Sequence, residues 1–206
     1  MKAWTVGQHL FVAADLEAEQ PWELVRSFNV FPEMAYTDPP WNKSVAAHFR
    51  RIAGDPRSVD LDFLLDRIAV AHCYVATDVW IEFASVNTPI VEAMKRHGWY
   101  EVAAYATTYE RGRRPESLTL FSRDPKRRPP GEPPTPDSPF LPGHTIVHSS
   151  NPGEHVLDAC TGYGLTAKAA IEARRIFVGF ELTEERLDRA ITFAERHEDK
   201  ERLRVH

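Results

Sequence analysis

Two consecutive prolines constrain this chain more than any other local feature. Pro39 and Pro40 follow Met34-Ala-Tyr-Thr37, a short run with the composition of a strand. Neither proline can continue a helix or donate to a sheet ladder, so the backbone must leave the sheet at Asp38 in a stiff, extended turn. A carboxylate (Asp38), a carbonyl outside regular hydrogen bonding (Pro39) and an indole (Trp41) are thereby confined to one patch at a strand's carboxyl end. In open α/β sheets that end carries the ligand crevice.

The remaining pattern alternates short apolar runs with amphipathic stretches. His9 to Ala14 reads as a buried strand ending at Asp15, and Pro21 opens a short helix with Leu24, Val25 and Phe28 on one face. Spacing predicts a helix over 44–53. A second helix, with Ser58 as its cap, carries Leu61, Leu64, Leu65 and Ile68 at i, i+3, i+4 and i+7. His72 to Thr77 reads as a strand, and Thr88-Pro89 begins a helix closed by Gly98. Residues 99–109 and 116–122 read as two strands joined by an Arg/Gly turn. Further on come a strand at His155–Asp158, a glycine turn, an alanine-rich helix over 165–173 and a strand from Ile176 to Phe180. A last helix, capped by Thr183, turns Leu187, Ala190, Ile191 and Ala194 inward. Strands alternating with helices predict an α/β fold: a doubly wound, mostly parallel, Rossmann-like sheet covered on both faces, with an antiparallel edge hairpin at 99–122.

At 206 residues and 43% apolar composition, one sizeable core is expected, and residues 1–206 read as a single domain. Asp124 to Pro142 holds eight of the sixteen prolines, which predicts a stiff linker or flap, taken as 124–144. No run approaches the roughly 18 apolar residues of a membrane span, and no basic stretch precedes an apolar core at the N-terminus. Cys73 and Cys160 sit in apolar contexts, as free thiols do in a reducing cytoplasm, so a cytoplasmic location is expected. The nine histidines show no ligand spacing beside a carboxylate or cysteine, and no metal is expected. A net charge of −5 argues against a globally basic nucleic-acid binder. Locally the balance reverses, with seven Lys/Arg against two acids from Arg111 to Arg128. That run is either a solvated charged segment or an edge that contacts phosphates.

The segment Asp158-Ala-Cys-Thr-Gly162-Tyr-Gly164 is flanked by a strand and a helix, the setting of a nucleotide-binding turn. Glycine admits close backbone approach, and the helix that follows points free amide groups at a ligand. Glu181 ends the next strand, where an acid is suited to gripping ribose hydroxyls. A dinucleotide fingerprint would ask for a third glycine at position 167, where alanine stands, a residue that fingerprint tolerates. A hydride-transfer enzyme, however, gives the Asp-Pro-Pro-Trp turn no evident work. That turn instead suits a planar base bearing an exocyclic amine.

With both sites in view, the chain resembles the S-adenosylmethionine-dependent amino-methyltransferases of nucleic-acid bases. It is most similar to the circularly permuted, beta-class-like kind, in which D-P-P-[YW] precedes G-x-G. TDPPWN matches the catalytic loop, FVAAD the acidic strand before it, HVLDACTGYGLTAKAA the glycine-turn segment and VGFEL the strand with the ribose acid. The resemblance implies that S-adenosylmethionine is the cofactor. It implies that Asp158 and the Gly162/Gly164 turn hold the methionine end, that Glu181 holds the ribose, that Asp15 approaches the adenine ring, and that Cys160, Thr161 and Leu182 also line the cofactor site. Asp38, Pro39, Pro40 and Trp41 form the catalytic loop. Asp38 and the Pro39 carbonyl accept hydrogen bonds from the target amine, and Trp41 stacks on the base, a contact worth about 1–3 kcal/mol. Asn42 and Lys43 orient the base or a phosphate, or are ordinary loop residues. Arg111, Arg113 and Arg114 join Lys43 as nucleic-acid contacts.

The expected reaction is methylation of an exocyclic amine, adenine N6 in DNA ahead of cytosine N4 or RNA adenine N6. Alternatives are a non-catalytic subunit that binds nucleic acid or a partner, and a methyltransferase of small-molecule or protein amide nitrogens. Ala159 and Cys160 stand where the family has proline and phenylalanine. No segment is large enough for a separate target-recognition insert, so the alternatives are that the enzyme reads little sequence, acts on single strands or RNA, or borrows recognition from a partner subunit; the resemblance also admits a homodimer. The proline-rich linker also leaves no room for the family's helix ahead of the glycine-turn strand; this absence and Cys160 favour a non-catalytic subunit, and the intact Asp-Pro-Pro-Trp turn disfavours it.

Overall fold

A computed structural model describes residues 1–75, 77–109, 114–130 and 141–204. Its strands are β1 (Lys2–Val6), β2 (His9–Ala13), β3 (Met34–Thr37), β4 (Asp78–Ala84), β5 (Tyr100–Tyr109), β6 (Arg114–Ser122), β7 (His155–Asp158) and β8 (Ile176–Glu181). The helices are α1 (Pro21–Ser27), α2 (Lys43–Ile52), α3 (Leu61–His72), α4 (Thr88–Arg96), α5 (Leu141–Ser149), α6 (Leu165–Glu172) and α7 (Glu184–Arg204). All eight strands form one sheet in the order β1-β2-β8-β7-β3-β4-β6-β5. The central run from β2 to β4 is parallel, and β1, β6 and β5 pair antiparallel at the two sides.

Strand alternation divides the core into two layers. Leu10, Val12, Ala35, Val79, Ile81, Leu157 and Val178 face one side, where Trp22 and Val25 of α1, Leu65 and Ile68 of α3, and Ile90 and Met94 of α4 cover them. Phe11, Met34, Tyr36, Trp80, Val156 and Phe177 face the other side, under Ile146 of α5, Ala170 and Ile171 of α6, and Leu187 and Ala190 of α7. Each large apolar side chain so buried contributes roughly 1.5–3 kcal/mol before the entropy of ordering it is counted. The parallel strands, buried on both faces, have to read as near-continuous apolar runs, as β2 and β8 do.

The topology fixes where a ligand can sit. From β3 the chain steps outward to β4, whereas from β7 it steps the opposite way to β8. β3 and β7 themselves pair, with Met34 opposite Val156 and Ala35 opposite Leu157. The sheet therefore reverses winding between these two strands, and a crevice opens beyond their carboxyl ends. Asp38 and Asp158 stand there.

Several expectations require correction. His72 to Thr77 is not a strand: His72 is the last residue of α3, and the strand is β4, beginning at Asp78. The apolar face of α3 simply continues through Ala69, Ala71 and His72, all buried. Asp60, not Ser58, caps that helix, accepting from the Phe63 N–H at 3.1 Å. The expected flap at 124–144 runs into α5, which starts at Leu141. A helix does precede the glycine-turn strand, contrary to expectation. Pro142 is tolerated there because the first helical turn has no intrahelical N–H bonds to lose, and Leu141, Thr145 and Ile146 are buried. Arg175 closes its far end through the Ser150 hydroxyl at 3.1 Å and the Ser150 carbonyl. The antiparallel edge hairpin stands as expected, with β6 paired to β4 and β5 as the outer edge. Among the described residues no helix is long and apolar enough to cross a membrane.

Candidate active site

The glycine turn is fastened from several directions. Glu181, buried at the end of β8, accepts the Gly162 N–H at 2.8 Å and the Thr183 N–H at 3.2 Å. The Thr161 N–H reaches the Phe180 carbonyl at 2.8 Å, and the Gly164 N–H turns back to the Thr161 carbonyl at 2.9 Å. Asp158 accepts the Cys160 N–H at 2.9 Å. Gly164 has φ +86°, and a Cβ there would lie 2.6 Å from the Ala190 Cβ, so only glycine lets α6 enter this close to α7.

The proline loop is held more lightly. The Trp41 indole N–H donates to Asp38 Oδ1 at 3.0 Å, and the Trp41 ring packs half-buried against the core. Asn42 is committed to capping α2, accepting the Val45 N–H at 2.9 Å. Thr37 joins the two constellations. Its hydroxyl accepts the Ala159 N–H at 3.1 Å and lies 3.0 Å from His72 Nε2. One buried hydroxyl thus ties the residue before Asp38 to the residue after Asp158.

Both constellations open into one cavity of about 500 Å³, within the range of small-molecule and cofactor sites. Asp15, Asp38, Pro39, Pro40, Trp41, Asp158, Cys160, Thr161, Gly162, Glu181 and Leu182 all line it. Gly164 lies one residue behind the wall and shapes it. Lys43 lies outside the wall, exposed in the first turn of α2. Arg114 begins β6, and Arg111 and Arg113 fall outside the described residues. Asp15 is engaged by cations: Arg50 approaches at 3.3 Å and Arg57 also pairs with it, while Glu17 and Asp55 pair with Arg50.

The sequence reading missed several wall residues. Glu82 of β4 accepts the Tyr36 hydroxyl at 2.6 Å beside Asp38. Arg186 of α7 stacks over Phe49 at 4.3 Å and Tyr163 at 4.9 Å and lies 3.7 Å from Glu181. An acid two residues after a tryptophan in an apolar strand was the available signal for Glu82. For Arg186 it was a cation in the first turn after the ribose acid.

Carboxylates dominate the electrostatics. Asp158, 2% exposed, is pushed up to about 7 by burial, a rise its Cys160 and Thr166 hydrogen bonds oppose and Glu181 assists. Asp38 is also pushed up to about 7, by burial and then by the Glu82 charge, with Trp41 opposing, Asp158 assisting and Arg186 opposing. Its side chain faces the open cavity, so water tempers the desolvation, but two neighbouring anions carry the same direction. Cys160 is pushed far up by burial and these anions, so its thiol stays protonated. Among the described residues no group of His, Cys, Asp and Glu could hold a metal ion.

The site is thus an acid-rich cavity between a glycine turn and a proline loop at the carboxyl ends of a mostly parallel α/β sheet, a lining suited to a ligand that carries positive charge. Residues 65–192, more than half of the chain, match the N6_N4_Mtase family, described as DNA methylase. The chain belongs to this family of S-adenosylmethionine-dependent DNA N6/N4 methyltransferases. No curated protein sequence matches it. Solved structures share the fold at low identity. The M1.HpyAVI complex with S-adenosylmethionine superposes with TM-score 0.62 at 18% identity, covering 89% of this chain and 98% of that one. TTHA0409 of Thermus thermophilus, titled a putative DNA modification methylase in complex with S-adenosylmethionine, gives 0.60 at 17% identity, covering 92% and 94%. The cytosine-N4-specific PvuII DNA methyltransferase gives 0.62 at 12% identity, covering 95% and 92%.

The chemistry of the wall fits the cofactor of the family. S-adenosylmethionine carries a sulfonium and an ammonium; Asp158 is a buried carboxylate and Asp38 an exposed one on the open side of the same cavity, and the ionisation of each is favoured by a cation alongside.

Proposed function

We propose that the chain, acting as a single methyltransferase domain, methylates the exocyclic amine of a DNA base, adenine N6 ahead of cytosine N4. The convergence of Asp38 and Asp158 on one cavity at the winding reversal between β3 and β7 carries the reading. When bound, S-adenosylmethionine supplies an electrophilic methyl group. Asp158 and the Gly162–Gly164 turn would hold its methionine end and Glu181 and Leu182 its ribose side. In this reading the order of the two motifs along the chain is the circularly permuted one.

The amine is a poor nucleophile because its lone pair is delocalised into the base ring. Two acceptors, the Asp38 carboxylate and the Pro39 carbonyl, draw its N–H bonds toward a tetrahedral arrangement and localise that pair for attack. Trp41 offers a stacking face beside them. In duplex DNA the base must first leave the helix, at a cost of a few kcal/mol. Lys43, Arg111, Arg113 and Arg114 would contact phosphates. With no large recognition segment in the sequence, target choice falls to the basic hairpin or to a partner subunit. The non-catalytic alternative loses one of its two supports, because α5 occupies the position where the sequence pattern left no room for a helix; Cys160 is the other.

The test is incubation of the purified chain with unmethylated DNA and isotopically labelled S-adenosylmethionine, followed by mass spectrometry of the nucleosides. Labelled N6-methyldeoxyadenosine is expected. Labelled N4-methyldeoxycytidine would reassign the base, and no labelled nucleoside, on duplex or single strands, would overturn the reading.

A further inference from the structure

Glu82 has no part in the roles above, yet it lines the same cavity as the proline loop. β3 and β4 run parallel with Tyr36 opposite Trp80 and Thr37 opposite Ile81. One further step along both strands arrives at Glu82 and at Asp38, the first residue beyond β3, and Glu82 shares its face of the sheet with Tyr36. The Tyr36 hydroxyl, buried, donates to Glu82 Oε2 at 2.6 Å and fixes that carboxylate against the cavity wall. Tyr36, Asp38 and Glu82 all line the cavity.

We propose that Glu82 is a positioning residue for methyl transfer: held by Tyr36 on the cavity wall beside Asp38, it sets the charge surroundings in which Asp38 takes the proton that the methylated amine releases. This rests on the reading given under Proposed function. In the balanced step, the base nitrogen's lone pair forms the new N–C bond while the pair of the broken C–S bond stays on sulfur. The nitrogen then carries the positive charge and gives up one proton, which the Asp38 carboxylate accepts and later passes to solvent. Charge is conserved, and no further reactant is needed.

Among the groups facing Asp38, Glu82 has the strongest charge influence. Asp158 from β7 acts in the same direction, Arg186 from α7 and the Trp41 N–H act against it, and the protonated Cys160 thiol adds no charge. Tyr36 is held far above its ordinary range by burial and by Glu82, so it remains a donor throughout the working pH range. Replacing Glu82 by glutamine removes a like charge without changing shape, and Asp38 must then lose its proton at lower pH.

Two measurements test this. The Asp38 carboxyl carbon, assigned by comparison with Asp38→Asn, is titrated by NMR in the wild-type chain, in Glu82→Gln and in Glu82→Asp. Turnover on DNA is followed against pH in the same proteins. Glu82→Gln is expected to lower both the NMR midpoint and the acid limb of turnover by about one pH unit. Glu82→Asp, which keeps the charge, is expected to restore most of that shift. An unmoved NMR midpoint in Glu82→Gln would overturn the proposal, even if turnover fell. If Glu82→Gln does not fold, Tyr36→Phe replaces it; losing the Tyr36 bond releases the Glu82 carboxylate from its fixed place on the cavity wall, so a smaller downward shift supports the proposal and none overturns it. A wild-type chain without turnover would defeat the function given above, while the NMR titration would still decide the link between Glu82 and Asp38.

Discussion

The carboxyl ends of β3 and β7 are neighbours in one sheet, and each presents an aspartate that burial and nearby anions push up to about 7. They are built on different principles. Beyond β7, backbone N–H groups lock the turn, Glu181 anchors Gly162, and Asp158 is sealed among bonds to Cys160 and its neighbours. Beyond β3, two prolines supply stiffness without hydrogen bonds, and Asp38 meets the cavity with the Trp41 indole as its partner. A site that only holds a ligand gains from complete satisfaction. A site that must accept a proton gains from a carboxylate left partly in want of one.

The largest effect expected from this contrast follows Asp38→Asn. Methyl transfer should fall by roughly 10²- to 10⁴-fold, while cofactor affinity, read by calorimetry, stays within a few-fold of wild type. Stability should move the other way. The Asp38 carboxyl is held above its ordinary range in the folded chain, so its contribution to stability is fullest below pH 4 and is lost as pH rises through about 7. Asparagine never ionises, and at pH 8 the cofactor-free variant should melt above the wild-type chain. A lower melting temperature at pH 8 would show that Asp38 is structural and would erase the contrast.

Next in size comes the glycine turn. Gly164→Ala places a methyl 2.6 Å from the Ala190 Cβ and 2.9 Å from its Cα, at φ +86°. Left-handed backbone and overpacking against a helix together should cost about 3 kcal/mol in urea denaturation. Gly162→Ala has a similar backbone cost, but its methyl would meet Arg186 Nη2, the mobile end of a long side chain, at 2.9 Å. The loss there should be about 1–2 kcal/mol. Equal losses at the two positions would mean that α7 yields as easily as a guanidinium.

Thr37→Val tests the joint between the two ends. Valine keeps the shape but leaves the buried Ala159 N–H without its acceptor, at a cost of about 1–3 kcal/mol by chemical denaturation. Thr37→Ser retains the acceptor and should sit close to wild type. If valine and serine behave alike, the hydroxyl is not what couples β3 to β7.

The same contrast explains what could be read from the sequence. The glycine turn was legible because its parts lie within one stretch, from His155 to Glu181, with local spacing that few other structures require. The proline loop was legible because two prolines leave a backbone few options. Glu82 was hidden because β4 itself was: Asp78 and Glu82 interrupt its apolar run, and the partners that make those charges tolerable are distant. Arg127 binds Asp78 at 2.9 and 2.6 Å across 49 positions, and Tyr36 binds Glu82 across 46. β1 was missed for a related reason, since Lys2–Val6 is an exposed edge with one row of partners. α5 was missed because proline and glycine in its first turn read as a break, although only packing on α6 and β3 decides the matter.

The smallest expected effect is also the most discriminating, because its direction opposes that of Glu82→Gln. Trp41 donates its indole N–H to Asp38 Oδ1 at 3.0 Å, which favours the ionised carboxylate. Trp41→Phe keeps an aromatic face for the base and removes only that donor. Asp38 should then hold its proton to higher pH, and the acid limb of turnover should move upward, with the plateau rate changed by less than about tenfold. Trp41→Ala should show the same upward movement and in addition weaken base binding by about 1–3 kcal/mol. In the double variant carrying both Trp41→Phe and Glu82→Gln, the two shifts should largely cancel. Limbs that move the same way in both single variants would mean that the loop's geometry, not the charge state of Asp38, is what the substitutions disturb.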